Sequence, residues 1–318
     1  MDAVIGNTGF VGGHLCGQHH FEARFNSRNI DEAAGEHYQT VVCAAAPGSM
    51  FEANRFPERD GERVEALIAQ LGRIRAQRFV LISSIAVLED FAGGYDETTA
   101  AFQTDLAYGR HRRQLEVFCQ GHFADCLIVR LPALFGGGLK KNFLFDILNP
   151  LPTMLNEEAY QGLLQGLSPA LRDALPAVYT WDSGLGMHVV DRMALEHSGL
   201  RADFDPAVIE AGLSALRFTH PDSRFQYYEI ARLWSDIGRC QEAELRVIHL
   251  APEPVNAGEV FRAVTQRSMP VTSARVHRED MRTRHGALWG RDDHFIEDAA
   301  SVLPRIVEFC EHERTMQS

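Results

Sequence analysis

Just past the apolar run Phe79-Val-Leu-Ile82 stand two hydroxyls, Ser83 and Ser84, and further along come Tyr108 and Arg112, four positions apart. That spacing puts the phenol and the guanidinium on one face of a helix. A hydroxyl, a phenol and a cation are parts for moving a proton at an oxygen. A tyrosine has a reference pKa of ~10, so it serves as a general acid/base where a fixed cation favours the phenolate. Either pair alone is unremarkable: strand-end turns carry serines, and exposed helix faces carry arginines.

A second constellation opens the chain. Val4-Ile5-Gly6-Asn7-Thr8-Gly9-Phe10-Val11-Gly12 falls where an apolar strand gives way to a helix. Gly6 permits a tight turn, Gly9 lets a backbone approach a pyrophosphate, Gly12 lets the helix pack close, and N–H groups at the helix start face phosphates. About twenty residues on, an NAD site presents an acid to the adenosine ribose, whereas an NADP site presents an arginine to the 2′-phosphate. Here the residues are Asn26-Ser27-Arg28, with no carboxylate between them and Asp31. They lean toward NADP; the alternative is an exposed solvated loop.

These residues need a scaffold, and short apolar runs alternating with helical patterns describe a parallel sheet covered on both faces. The expected strands are Asp2–Ile5, Phe21–Phe25, Thr40–Ala44, Phe79–Ile82 and Asp125–Val129, with helices near Phe10–Gln18, Pro57–Ala76 and Phe102–Gly121. In the last of these, Leu106, Leu115, Val117 and Phe118 read as the packed face, and Arg110, Arg112, Arg113 and Glu116 as the solvated one. The fold class is α/β, a Rossmann-type doubly wound parallel sheet with a smaller, mostly helical C-terminal substrate lobe. The glycine-rich Gly136-Gly-Gly138 marks the boundary, giving a first domain of residues 1–135 and a lobe of 136–223 and 251–318. Arg224–Ile230 and Leu245–Leu250 are expected to return to the sheet as strands. Residues 153–222, punctuated by Pro169, Pro176 and Pro206, carry no motif.

The glycine turn, Ser84 and Tyr108-x-x-x-Arg112, in that order, resemble the short-chain dehydrogenase/reductase superfamily, and in particular its extended branch, the NAD-dependent epimerase/dehydratase family. Ile5 replaces that branch's usual threonine, and Arg112 replaces its lysine. The resemblance implies a cofactor-dependent enzyme of the NAD(P) class. Tyr108 would be the acid/base, Ser84 would hydrogen-bond the reacting oxygen, and Arg112 would supply the cation and hold the nicotinamide ribose. Arginine keeps the charge, but its planar fork does not simply replace a compact ammonium. Gly6, Thr8, Gly9, Phe10, Val11 and Gly12, with Asn26, Ser27 and Arg28, would bind the dinucleotide. Ala44, Ala45 and Ala46 resemble the small-residue strand end on which the cofactor lies, and Arg130-Leu-Pro-Ala-Leu-Phe-Gly136 resembles a stretch that sets Pro132 and Leu134 beside the nicotinamide. Extended members often take nucleotide sugars, so Lys140, Lys141 and Asn142 are candidates for a diphosphate or sugar hydroxyl, as are Arg282 and Arg284. For both groups a solvated surface is the alternative. The dehydratases' acidic pair after the active-site hydroxyl is missing, since Ile85 and Ala86 stand there. Many members dimerise through two helices, here Pro57–Ala76 and Phe102–Gly121.

Composition narrows the classes. The 318 residues carry 31 basic side chains against 43 acidic ones, a net charge of −12, which argues against a nucleic-acid binder. Only Lys140 and Lys141 are lysines, so an arginine at a cationic position is ordinary for this chain. No apolar run spans a bilayer, Asp2 stands where a signal peptide is basic, and the six scattered cysteines have no metal spacing. Those features lead to a cytoplasmic protein without metal. Two functions follow: an oxidoreductase or epimerase acting on a nucleotide-activated sugar, or a non-catalytic NAD(P)-binding sensor or scaffold.

Overall fold

The computed structural model describes residues 1–317, without the side chain of Gln317. The chain divides into two compact units: residues 1–139, 224–255 and 278–305, and residues 140–223 and 256–277 with the segment from Ile306 onward.

The first unit is built on β1 (Asp2–Ile5), α1 (Phe10–Gln18), β2 (Ala23–Phe25), β3 (His37–Cys43), α2 (Met50–Arg55), α3 (Pro57–Leu71), β4 (Arg75–Ser84), α4 (Ala107–His122), β5 (Cys126–Leu131) and β6 (Ala133–Phe135). Strand Val247–His249 completes a six-stranded sheet that runs from it through β5, β4, β3 and β1 to β2. Every pairing in it is parallel. Strand residues alternate between the two faces, which explains their continuous apolar runs. Ile5, Val41, Cys43, Phe79, Leu81 and Ile128 pack with Val64, Leu67 and Leu115 of α3 and α4. Their neighbours Val4, Val42, Val80, Leu127 and Val129 pack on the other face with Leu15, Leu233 and Ile237. The chain leaves β1 for β2 on one side and returns to β3 on the other. That reversal is where doubly wound sheets bind ligands, at the carboxyl ends of their strands.

Several expectations are corrected. Of the two late runs, only Val247–His249 joins the main sheet; Tyr227–Glu229 pairs with β6 in a separate two-stranded sheet. Gln226, fully buried, holds the carbonyls of Pro252 and Met281 with its side-chain amide, at 2.6 and 2.8 Å. Those bonds keep residues 278–305 in the first unit, where a lobe of 251–318 was expected. The solvated and packed faces of α4 are also partly exchanged. Arg112 and Glu116 are buried, while Leu106 and Val117 are 46% and 54% exposed.

The second unit has its own core. Tyr160, Leu163, Leu175, Leu195, Phe204 and Val208 come together from four helices, Glu157–Gly166, Pro169–Val178, Arg192–Ser198 and Arg201–Glu210. A three-stranded antiparallel sheet of Met154–Leu155, Met187–Val190 and Tyr179–Asp182 adds Leu155, Tyr179 and Val190. Pro169 opens a helix, as its fixed φ favours, but Pro176 and Pro206 lie inside helices and do not break them. Among the described residues no helix is long and apolar enough to cross a membrane.

Candidate active site

The glycine turn is built as its spacing requires. Gly6 has φ +93°, and a Cβ there would lie 2.6 Å from the Ala44 carbonyl oxygen, so a side chain is excluded by both conformation and space. At Gly12 a Cβ would lie 2.1 Å from the Gly6 carbonyl oxygen, which is what lets α1 close on the turn. Gly9 precedes the first turn of α1, and the opening N–H groups of a helix lack intrahelical partners. The result is a shallow cradle of backbone donors, flanked by half-buried Ala44, Ala45 and Ala46 and bordered by exposed Thr8 with half-buried Phe10 and Val11.

Asn26, Ser27 and Arg28 follow directly on β2. The Phe25 carbonyl accepts from the N–H groups of Gly6 and Asn7 at 2.7 and 3.2 Å, so this bend sits against the glycine turn. The Asn26 amide donates to Asn7 Oδ1 at 3.3 Å, and its own Oδ1 accepts from the Arg28 N–H at 3.0 Å. Arg28 is exposed.

Further along the carboxyl edge, β4 ends on Ser84, whose Oγ accepts from the Ala86 N–H at 3.2 Å and caps the turn Ile85–Val87. Gly109 brings α4 to this turn: a Cβ at that position would lie 2.0 Å from the Ala86 carbonyl oxygen. That close approach carries the neighbouring Tyr108 toward Ser84, whose hydroxyl acts on the phenol. Asn54 of α2 fixes the helix start, its Oδ1 accepting from the Tyr108 N–H at 2.9 Å. Burial holds the Tyr108 phenol above its ordinary pKa; the Arg112 charge and the Ser84 hydroxyl oppose the rise, and Asp60 adds to it.

Arg112 is not the mobile cation that a lysine would be. Its Nη1 donates to Asp60 Oδ2 at 2.5 Å and its Nη2 to the Pro47 carbonyl, while its Cζ stands 4.2 Å from the centre of the Tyr108 ring. His111 Nδ1 lies 2.8 Å from the same Asp60 oxygen. The Arg112 Nε is buried and makes no hydrogen bond among the described residues. An orphaned buried donor beside a glycine cradle fits a ligand that brings hydroxyls to this edge.

One turn beyond Arg112, Glu116 anchors a cluster that no sequence motif announced. It accepts from Arg130 Nε and Nη2 at 2.9 and 2.7 Å, from Ser83 at 2.6 Å and from Arg113 at 2.8 Å. Arg130 Nη1 meets His249 Nε2 at 3.0 Å. Burial alone would push the Glu116 carboxyl up, but those donors hold it below its ordinary value, whereas desolvation pulls His249 down toward the neutral form. Pro132 is buried and Leu134 half-buried just past β5. The i, i+4 spacing of Tyr108, Arg112 and Glu116 was the available signal for this cluster. Asp60 and Asn54, by contrast, lie in ordinary helical sequence.

The expected substrate residues are placed differently. Arg282 and Arg284 are in the first unit, where Arg282 donates to Asp280 from Nε at 3.0 Å and from Nη2 at 2.7 Å. Arg284 is exposed, and its backbone N–H donates to Glu97 at 3.0 Å. Lys140, Lys141 and Asn142 are in the second unit. Both lysines are exposed, while the Asn142 side chain caps helix Phe143–Leu148 by accepting from Leu144 and Phe145. A recess of about 440 Å³ near the amino ends of β5 and Val247–His249 is lined by Arg78, Asp125 and Arg246. These charges pair with one another, Arg78 with Asp125 at 3.7 Å and Arg246 with Asp125 at 3.9 Å, and the recess lies away from Ser84 and Tyr108.

No protein-family model and no curated protein sequence matches the chain. Solved structures do. The UDP-N-acetylglucosamine 4-epimerase of Methanobrevibacter ruminantium, in complex with UDP-N-acetylmuramic acid, is similar with a TM-score of 0.62 at 12% identity, over 99% of this chain and 98% of the other. The dTDP-4-dehydrorhamnose reductase of Bacillus anthracis, in complex with NADP, has a TM-score of 0.59 at 13% identity, over 97% and 96%. That of Yersinia enterocolitica has a TM-score of 0.57 at 14% identity, over 97% and 99%. At these identities the likeness shows the fold, and it extends over nearly the whole chain.

Proposed function

We propose that this chain is an NAD(P)-dependent oxidoreductase or epimerase of the extended short-chain dehydrogenase/reductase type, acting on a C–OH or C=O group of a nucleotide-activated sugar. The observation that carries this reading is the seating of α4, at Gly109, on the turn that Ser84 caps, which sets Tyr108 and Ser84 on the sheet edge that also holds the glycine cradle. The solved relatives, reductases and epimerases of nucleotide sugars, support the substrate class.

The residues present fit a dinucleotide. The cradle from Gly6 to Gly12 would hold its diphosphate on backbone N–H groups. Arg28 would face a 2′-phosphate, and the orphaned Arg112 Nε would donate to a ribose hydroxyl. A relative solved with NADP supports the phosphorylated cofactor. When bound, that cofactor supplies or accepts a hydride; the chain's part is proton transfer and orientation. Ser84 holds the reacting oxygen and Tyr108 exchanges a proton with it. Lys140, Lys141 and Asn142 with Arg282 and Arg284 remain the candidates for substrate. A homodimer would form through α3 and α4, where Val117 is exposed, and sedimentation would detect it.

Tyr108→Phe tests the reading. It is expected to lower turnover on a nucleotide-sugar panel by about 10²–10⁴-fold while cofactor still binds in fluorescence titration. Wild-type protein that binds NADPH but turns over no member of the panel would favour the sensor or scaffold reading, for which the immobilised Arg112 is the specific argument. NADH binding at least about tenfold tighter than NADPH, about 1.4 kcal/mol, would reverse the cofactor preference.

A further inference from the structure

Asp60 stands in none of the motifs, yet it touches His111 and Arg112, three and four positions beyond Tyr108 on α4. It is 4% exposed, and a single oxygen, Oδ2, meets His111 Nδ1 at 2.8 Å and Arg112 Nη1 at 2.5 Å. With the Pro47 carbonyl on the other arm, the guanidinium is held from two sides against the face of the Tyr108 ring. A cation so placed interacts with the ring's π face, and its charge is shared with a carboxylate. The groups that act on the phenol are Arg112 on α4, Asp60 on α3 and the Ser84 hydroxyl on β4; Asn54 on α2 holds the Tyr108 backbone N–H, and the Pro47 carbonyl after β3 holds Arg112. Around Asp60 itself are His111 and, lining an adjoining recess of about 20 Å³, Glu52, Arg59 and Arg63.

We propose that Asp60 is a positioning residue for Tyr108: it holds Arg112 at the ring face while its own negative charge offsets that cation, which keeps the phenol a proton donor and suits the site to carbonyl reduction. The inference rests on reading Tyr108 as the acid/base. In reduction the substrate carbon takes a hydride, two electrons and a proton's mass, from a reduced nicotinamide. The Tyr108 O–H bond breaks, a new O–H bond forms at the substrate oxygen, and water returns the proton to the phenolate. Epimerisation through a ketone begins the other way, with a phenolate removing a hydroxyl proton, and a buried carboxylate close by disfavours that ion. The direction in which burial and Asp60 move Tyr108 agrees with this assignment.

The test is a pH titration of full-length protein labelled with ¹³Cζ-tyrosine, the Tyr108 signal being assigned by its loss in Tyr108→Phe. Removing an anion favours the phenolate, so Asp60→Asn is expected to lower the Tyr108 midpoint by about one unit, tenfold in proton affinity. Because Asp60→Asn leaves Arg112 without its ion-pair partner, the same substitution is also made in an Arg112→Lys background, whose flexible ammonium relaxes more readily. A fall in either background supports the assignment, and a midpoint unmoved by Asp60→Asn in both overturns it. A purely structural Asp60 would lower stability without moving that midpoint. The titration needs neither cofactor nor turnover, so absence of NAD(P)H binding by calorimetry overturns the functional reading alone.

Discussion

Two buried arginines meet at α4, Arg112 as one of its residues and Arg130 as the partner of Glu116 one turn further on, and they are satisfied to different degrees. Arg130 gives Nε and Nη2 to the two oxygens of Glu116 and Nη1 to His249, so all three nitrogens are engaged. Arg112 has Asp60 and the Pro47 carbonyl, but its buried Nε has no partner among the described residues. A charge taken out of water is costly unless hydrogen bonds complete its shell. The first arrangement has the form of a brace, binding α4 through Glu116 to β4, β5 and Val247–His249. The second leaves a donor over, at the sheet edge where the candidate site lies, and incomplete satisfaction of a buried group is a mark of positions that a ligand completes.

The contrast is open to direct attack. The largest effect is expected from Glu116→Ala, which strands Arg130: about 3–5 kcal/mol of stability, read from urea denaturation. Asp60→Asn should cost less, because Arg112 keeps the Pro47 carbonyl and the Tyr108 ring; an equal cost would erase the distinction. A smaller effect concerns acid. The Glu116 carboxyl is held below its ordinary value, so its contribution is fully present above the unfolded pKa of about 4.3 and is lost as pH falls through the folded one. The acid limb of thermal stability below about pH 4 should therefore flatten in Glu116→Gln. The smallest effect is Arg28→Ala, expected to weaken NADPH about tenfold, ~1.4 kcal/mol, and to leave NADH unchanged in the same titration.

What was legible in the residues was local. Asp2–Ile5 and Phe10–Gln18 appear with the ends their apolar run and glycine turn prescribe, and Pro57 opens α3 as expected. The order of Ser84 and Tyr108 along the chain, and the one-turn spacing of Tyr108 and Arg112, were legible too. The faces of α4 were not. Periodicity reads a charged side chain as solvated unless its partner is known, and the partners here are Asp60, 52 positions from Arg112, and Arg130, 14 from Glu116. For the same reason Arg282 looked free until Asp280 was found in its fork, and residues 278–305 seemed to belong with their chain neighbours.

The sequence by itself determined the alternation of strands and helices, the glycine cradle, and the hydroxyl and phenol that could serve chemistry. All of these rest on short-range sterics and on the order of elements along one sheet edge. Only the tertiary structure decided what the cation beside that phenol is doing. Whether Arg112 is a free charge or half of a buried pair depends on a carboxylate delivered by another helix, and burial, which sets the strength of every such interaction, belongs to the assembled fold and not to any segment of it.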